Sequence, residues 1–155
     1  MTQKTKVIAE AGHPDLLITR EFELPVELLF QAHADPEIIA QWMGTKVLKF
    51  EGRKHGSWQF ETSNAQGAVV FRANGVFHEF LPNQKITRTF EMENAPFDVQ
   101  LEFLEFEKLT DETSKLTIHS VYRSVAVRDQ MLKLPFAQGI SWAHDRLQEI
   151  VSKRR

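Results

Sequence analysis

The sequence contains no cysteine among its 155 residues. This absence excludes disulfide bonds, thiolate metal ligands and a cysteine nucleophile, and it fits a chain that works in a reducing compartment. We therefore expect a cytoplasmic protein. A chain of this length is expected to form one domain, which buries roughly 70% of its unfolded surface without covalent cross-links.

Long apolar runs and an excess of one charge are also missing. The apolar stretch at residues 7–9 is far too short for a signal-peptide core or a membrane span. The formal charge of −2 and the pI of about 6.3 provide no electrostatic footprint for nucleic acid or anionic lipid. These features predict neither a nucleic-acid partner nor a membrane partner.

Motifs for metal binding and catalysis are missing as well. No two of the six histidines are spaced four apart on a predicted helix, so no metal site is expected. The sequence around Ser141 resembles a nucleophile elbow but lies within a predicted helix. Glu102, Glu105 and Glu107 could suggest paired carboxylates, but Glu105 and Glu107 lie on one face of a strand edge, where solvent exposure is the usual reason for such a run. We predict no cofactor and no catalytic residue, and whether the protein is an enzyme stays open.

Apolar residues at period two and at helical spacing predict an α+β order of elements. A strand at residues 16–24 is followed by two short helices, which begin at Pro25 and at residues 35–37. Further strands are predicted at residues 47–51, 57–61, 68–80, 86–92, 97–109 and 116–122. A long helix after Ser124 closes the chain, and Pro135 should kink or split it.

A long helix that follows a run of antiparallel strands suggests a sheet curled around that helix, with an apolar gap between them. The break in alternation at residues 74–75 marks the bend that a curved strand needs. We expect residues 16–153 to form this single domain, preceded by a partly flexible segment at residues 1–15. Function should be sought in the gap between sheet and helix.

Three polar side chains share predicted strand faces with apolar residues. They are Arg20, Arg88 and Tyr122, and each needs a partner because a buried, unpaired polar group is costly. In one interpretation an arginine binds the carboxylate or phosphate head of an amphipathic ligand, and Tyr122 adds a hydrogen bond. The apolar body of the ligand would then contact Trp58, Phe60, Phe71, Phe90, Phe103, Phe136 and Ile140. In the other interpretation the arginines reach solvent or a glutamate, and the aromatic residues only pack the core.

Trp142 falls on the polar side of the last predicted helix. Gln138, Asp145 and Glu149 share this side with it. Trp142 is therefore either an exposed aromatic residue or a contact in a homodimer.

The sequence also resembles a known family over roughly residues 16–152. The similar segments are residues 18–44 (ITREFELPVELLFQAHADPEIIAQWMG), residues 56–58 (GSW) and residues 128–147 (RDQMLKLPFAQGISWAHDRL). They resemble the family named for the activator of the heat-shock-protein-90 ATPase, which belongs to the SRPBCC superfamily. The chain departs from common family patterns at Met43, Thr45 and Pro135.

The resemblance implies the helix-grip fold, which is also found in the birch pollen allergen and in START lipid carriers, and a pocket inside it. The superfamily includes lipid carriers, hormone receptors, and polyketide aromatases and cyclases. We therefore expect a protein that binds a small hydrophobic or amphipathic molecule. Two alternatives stay open: an enzyme similar to polyketide cyclases and aromatases, and a stress-related module that contacts a chaperone through a patch around Trp142. The family's co-chaperone uses a separate N-terminal domain, and the lack of a counterpart before Leu16 argues against direct co-chaperone activity.

Overall fold

The computed structural model describes residues 4–93 and 95–154. Within these residues the chain forms eight strands and four helices. The strands are β1 (Lys6–Ile8), β2 (Asp15–Phe22), β3 (Lys46–Phe50), β4 (Ser57–Ser63), β5 (Val69–Leu81), β6 (Lys85–Met92), β7 (Gln100–Lys108) and β8 (Ser114–Val121). The helices are α1 (Val26–Ala34), α2 (Pro36–Met43), α3 (Val125–Leu132) and α4 (Phe136–Ser152).

The strands of the described residues form one antiparallel sheet, in the order β1-β2-β8-β7-β6-β5-β4-β3. Register shifts interrupt the pairing of β3 with β4, of β4 with β5 and of β5 with β6. Such irregularities bend strands and increase their twist, so the sheet curves in this half. The result is the α+β helix-grip architecture that the sequence predicted, and α1 and α2 follow the first of the predicted strands.

The predicted bend at residues 74–75 lies inside β5, close to a register shift between Phe77 and Glu79. Gly75 is paired with Trp58, and a Cβ atom at Gly75 would overlap the backbone carbonyl of Thr89 and the Trp58 indole. Glycine is therefore required where these strands and the indole approach each other most closely.

The helix boundaries follow from the capping residues. Asp35 accepts a hydrogen bond from the Glu37 amide at 2.9 Å, and Gly44 ends α2 in a left-handed conformation with φ of 63°. Ser124 caps α3 by accepting a hydrogen bond from the Val127 amide at 3.2 Å. The sequence predicted both of these starts.

The closing helix is split at Pro135, as the sequence predicted. The first part, α3, ends at Leu132, and α4 begins at Phe136. Proline has no amide hydrogen and clashes with the preceding turn, so it starts a new helix more readily than it continues one. The longer part, α4, buries Leu147 and Val151 and packs against α2.

An additional strand, β1, lies in a segment for which the sequence predicted none. It pairs with β2, so that Lys6 lies opposite Thr19 and Ile8 lies opposite Leu17. The segment is short and mostly polar, so its apolar periodicity gives no strand signal.

The start of β7 also differs from the prediction. The strand begins at Gln100, whereas the sequence predicted a strand from residue 97. Asp98 has a positive φ of 49°, which breaks the extended conformation and shifts the phase of the alternation. As a result Gln100, Glu102 and Leu104 face the interior, while the residues between them face outward.

The interior contains a main core and a smaller cluster next to α3. The main core lies between the sheet and the helices α1, α2 and α4, and its largest buried side chains include Trp58, Phe60 and Phe77. The smaller cluster consists of Leu16, Phe97, Tyr122 and Met131. None of the helices in the described residues combines the length and the apolar character needed to cross a membrane.

Candidate functional site

A cavity of about 290 Å³ lies between the N-terminal half of α4 and the inner face of the sheet. Ligand pockets are typically about 300–1,000 Å³, so this cavity is at the lower limit of that range and suits a small molecule. Gly139 lines the cavity and is exposed, so the cavity opens to solvent beside it, and Phe71, Met92 and Ile140 are among the partly exposed residues of the lining. Most lining side chains in the described residues are apolar, and the polar ones are His33, Arg88, Gln100, Glu102, Tyr122 and His144.

An ion pair lies on the sheet wall of the cavity. The strand register places Arg88 beside Glu102, and Glu102 beside Ser120. Arg88 Nε donates to Glu102 Oε1 at 2.8 Å. Glu102 Oε2 accepts from Gln100 Nε2 at 2.9 Å and from Ser120 Oγ at 3.5 Å. Both oxygens of the Glu102 carboxylate therefore have partners within the sheet.

The Arg88 guanidinium lies against two aromatic rings, 5.2 Å from the ring centre of Trp58 and 5.9 Å from that of Phe90. These cation–π contacts hold the guanidinium at the cavity wall. Of its three nitrogens, only Nε has a hydrogen bond to a described residue, and the side chain keeps 17% of its surface exposed. The two Nη groups are therefore available to a molecule in the cavity.

Tyr122 follows β8 and presents its hydroxyl to the same wall. Burial raises the pKa of this hydroxyl above its ordinary value, and the charge of Glu102 acts in the same direction. The phenol is neutral at physiological pH and can donate or accept a hydrogen bond.

His33 reaches the cavity from α1. Its Nδ1 lies 2.9 Å from the carbonyl oxygen of Leu29. Because a carbonyl oxygen can only accept, Nδ1 carries the proton of the neutral ring and Nε2 is an acceptor. Burial is the main reason why the pKa of His33 is lowered to about 4, and the charge of Arg88 contributes. This imidazole is therefore neutral at physiological pH.

His144 reaches the cavity from α4. Its Nδ1 lies 2.9 Å from Thr5 Oγ1, and its ring packs edge-on against Phe22 with the ring centres 5.6 Å apart. Burial is the main cause of a pKa lowered to about 3, and the charge of Arg20 contributes. Both imidazoles in the lining are thus uncharged at physiological pH.

The structure brings together most of the residues that the sequence predicted to contact a ligand. Those in the cavity lining are Phe60, Phe71, Arg88, Phe90, Tyr122, Phe136 and Ile140. The other three, Arg20, Trp58 and Phe103, lie outside the lining. Contact between any of these residues and a ligand stays a prediction.

Arg20 faces the interior but contacts α4 at Asp145, outside the cavity. Its Nη1 donates to Asp145 Oδ1 at 2.6 Å and to Thr5 Oγ1 at 3.3 Å, and 3% of its side chain is exposed. Its guanidinium also lies 5.1 Å from the ring centre of Phe22. The chain itself thus supplies the carboxylate partner of Arg20, and this arginine is not available to a molecule in the cavity.

Trp58 lies behind the lining. Its ring packs against Phe60, with the ring centres 4.6 Å apart, and against Phe90 at 5.3 Å. Because Phe60 and Phe90 both line the cavity, Trp58 supports the wall from the core side.

Phe103 faces the opposite side of the sheet. Its ring stacks on His119, with the ring centres 6.0 Å apart, and His119 contacts Asp15 at 2.7 Å. The predicted alternation is wrong by one residue in this strand, because Asp98 breaks the extended backbone before Gln100. Leu104, the next residue, lines the cavity in the place predicted for Phe103.

Sequence reasoning missed four polar residues of the lining: His33, Gln100, Glu102 and His144. Glu102 could have been predicted, because a buried Arg88 requires a partner of opposite charge. Glu102 lies on the next strand, β7, and faces the interior once the inward-facing residues of β7 are assigned correctly. For the two histidines the sequence gives no such signal, since a single histidine on a helix is compatible with burial and with exposure. Between residues 4 and 154, leaving out residue 94, no three His, Asp or Glu side chains are placed to hold a metal ion.

Several solved structures share this fold. Protein Ms6760 from Mycobacterium smegmatis has a TM-score of 0.84 at 20% identity, covering 95% of this chain and 96% of that chain. A protein from Rhodobacter sphaeroides has a TM-score of 0.84 at 17% identity, covering 97% and 99%. An HSP90 activator from Plasmodium falciparum has a TM-score of 0.56 at 21% identity, covering 70% and 72%. At these identities the likeness establishes the fold alone.

The sequence also assigns the chain to a family. No curated protein matches it, but the family model described as "Activator of Hsp90 ATPase homolog 1-like protein" matches residues 23–152. This range contains α1 to α4 and most of the cavity lining. The chain therefore belongs to the family of activator of Hsp90 ATPase homolog 1-like proteins, as the resemblance in its sequence predicted.

Proposed function

We propose that this protein binds a small hydrophobic or amphipathic molecule in the cavity between α4 and the sheet. The observation that carries this proposal is an apolar cavity with a small polar cluster, Arg88, Glu102 and Tyr122, on one wall. In such sites apolar contact supplies most of the affinity, and a few polar groups fix the orientation of the ligand.

The proposed contacts follow from the lining. The apolar body of the ligand contacts Phe60, Phe71, Phe90, Phe136 and Ile140, and its polar group faces Arg88 and Tyr122. We assign this role to the domain at residues 16–153, to which β1 adds an edge strand. The lack of cysteine and of catalytic motifs supports a cytoplasmic and non-enzymatic role.

A titration with N-phenyl-1-naphthylamine, a neutral fluorophore that brightens in apolar surroundings, tests the proposal. The informative variant is Gly139→Leu, because Gly139 lines the cavity and a Cβ atom there meets nothing within 4 Å. The leucine side chain therefore has room beside the opening of the cavity. Replacing a helical glycine also favours folding by about 0.5–1 kcal/mol, so the variant should remain folded.

We expect the wild-type protein to enhance the fluorescence, and Gly139→Leu to weaken the affinity at least ~10-fold, equivalent to about 1.4 kcal/mol. Ala137→Leu is the matched control, since it adds a leucine to an exposed position of the same helix outside the lining. Equal binding by the wild type and Gly139→Leu would show that the fluorophore does not occupy this cavity.

A second candidate is contact with a protein partner, either a chaperone or a second copy of this chain. The observation in its favour is Trp142, which is 59% exposed on α4. The Arg146 guanidinium lies 5.0 Å from the centre of this ring, and Arg146 Nη2 donates to the Gln41 carbonyl at 2.9 Å. These contacts offer a partner a fixed aromatic surface. In this case Trp142→Ser would abolish dimerisation in light scattering, or stimulation of an Hsp90 ATPase, and would leave fluorophore binding intact.

A further inference from the structure

We propose that the ligand of the cavity is an uncharged molecule that carries a hydrogen-bond acceptor, such as a ketone or ester carbonyl, at the Nη groups of Arg88. This inference rests on the proposed function and specifies its ligand class. It replaces the carboxylate or phosphate head that the sequence suggested, and it follows from the balance of donors and of charges in the lining.

The donors on this wall outnumber the acceptors. A guanidinium carries five N–H groups, and one of them, on Nε, is bonded to Glu102. The Glu102 carboxylate already accepts from Arg88, Gln100 and Ser120. The described residues leave the Nη groups of Arg88 without an acceptor, although the side chain is mostly buried. A ligand that supplies an acceptor at this point satisfies them.

The charges of the lining cancel. Arg88 and Glu102 are its charged groups among the described residues, and they form one ion pair. His33 and His144 add no positive charge at neutral pH because burial lowers the pKa of each imidazole. A carboxylate or phosphate in this cavity would be a buried anion without a cation of its own, which is unfavourable. A carbonyl oxygen accepts the same hydrogen bonds from Arg88 and adds no charge.

Arg20 shows a different arrangement from that of Arg88. Arg20 pairs with Asp145, which belongs to the helix, and its Nη1 is shared between Asp145 and Thr5. Arg20 is not among the residues that line the cavity. The arginine donors that face the cavity are therefore those of Arg88, whose carboxylate partner comes from the neighbouring strand.

Three naphthalenes of nearly equal size test the inference by displacement of N-phenyl-1-naphthylamine from the wild-type protein. They are 2-acetylnaphthalene, with a neutral carbonyl, 2-isopropylnaphthalene, with no polar group, and 2-naphthoate, with a charge. A hydrogen bond from a charged donor favours the acetyl compound at least ~10-fold over the isopropyl compound. We expect 2-naphthoate to bind more weakly than 2-acetylnaphthalene. This comparison needs no variant, so it does not depend on the folding of one.

A double variant locates the effect. Arg88→Met with Glu102→Gln removes both charges together, so neither remains buried and unpaired. We expect it to lower the affinity for 2-acetylnaphthalene to that for 2-isopropylnaphthalene and to leave the latter unchanged. Arg20→Met with Asp145→Asn makes a matched chemical change outside the cavity, and it should leave the order of the three affinities unchanged.

The outcomes separate the two proposals. Equal affinities for the acetyl and isopropyl compounds, or tightest binding of 2-naphthoate, overturn the inferred ligand class. The proposed function survives either result as long as Gly139→Leu still weakens binding of the fluorophore. If the wild type binds neither the fluorophore nor any naphthalene, the proposed function fails and the inference fails with it.

Discussion

The two halves of α4 meet the sheet in different ways. In the C-terminal half, Leu147 and Val151 are completely buried in the main core. In the N-terminal half, Phe136 and Ile140 stay partly exposed and line the cavity together with Gly139. One helix is thus sealed against the sheet at one end and separated from it at the other.

The ion pairs of Arg20 and Arg88 differ between the two halves in a parallel way. Arg20 reaches across the layers to Asp145, so its ion pair ties the sheet to the helix. Arg88 pairs with Glu102 on the adjacent strand, so its ion pair stays within the sheet and gives the helix no polar attachment. The interior is closed in the half where the Arg20–Asp145 ion pair joins the sheet to α4. The cavity lies in the half where the Arg88–Glu102 ion pair stays within the sheet.

Acidification should give the largest effect, because two buried imidazoles, those of His33 and His144, line the cavity. The pKa values of His33 and His144 are lowered by burial to about 4 and about 3, whereas an unfolded histidine has a pKa of about 6.5. Below pH ~6.5 these two histidines therefore bind protons in the unfolded chain but stay unprotonated in the folded chain. The free energy of unfolding should fall by roughly 3 kcal/mol per histidine between pH ~6.5 and pH ~4.

Urea unfolding at a series of pH values measures this loss. In His33→Gln the free energy of unfolding should depend less steeply on pH, because one of the two histidines that take up a proton only on unfolding has been removed. A free energy of unfolding that stays constant across this pH window would mean that these imidazoles are not buried as neutral groups.

Leu147→Ala and Ile140→Ala compare the two halves of α4 directly. Leu147 is fully buried, so its truncation leaves a void and should cost about 2–5 kcal/mol of unfolding free energy. Ile140 already adjoins the cavity and is partly exposed, so its truncation should cost less than about 1.5 kcal/mol. Equal losses in urea unfolding would contradict the distinction between a sealed and an open half.

Asp145→Asn removes the carboxylate that ties the helix to the sheet. Arg20 then stays buried without its ion-pair partner, while the exposure of Asp145 moderates the effect. We expect a loss of about 1–2 kcal/mol in urea unfolding. Affinity for N-phenyl-1-naphthylamine should not change, since neither residue lines the cavity. A clear drop in affinity would mean that the sealed end also shapes the binding site.

Phe103→Ala should have the smallest effect on binding. Phe103 lies on the outer face against His119, so the affinity for N-phenyl-1-naphthylamine should change less than ~2-fold. Phe90→Ala is the counterpart on the cavity wall, and it should weaken the affinity about 10-fold through lost apolar contact. A larger loss of affinity in Phe103→Ala than in Phe90→Ala would mean that Phe103 faces the cavity, as the sequence predicted.

Much of the fold could be predicted from the sequence because its determinants are local. Pro135 splits the closing helix, and residues 35–37 start α2, through backbone chemistry that does not depend on the rest of the chain. The alternation in β6 placed Arg88 and Phe90 on the inner face, and the structure confirms this.

The missed features depend on contacts between distant parts of the chain. The phase of β7 follows from the left-handed backbone at Asp98, which a period-two pattern does not reveal. The burial of His144 depends on Thr5 and Phe22, which reach it from the other end of the sequence. The partners of the two arginines also lie far away in the sequence, since Arg20 pairs with Asp145 and Arg88 with Glu102.

The most direct test is to titrate the ¹⁵N-labelled protein with 2-acetylnaphthalene and follow the backbone amide shifts by NMR. If the open half of α4 is the binding site, the largest shifts will occur in the cavity lining, at Phe71, Met92, Gly139 and Ile140. Shifts confined to the surface around Trp142, or to the outer face around Phe103 and His119, would contradict the account.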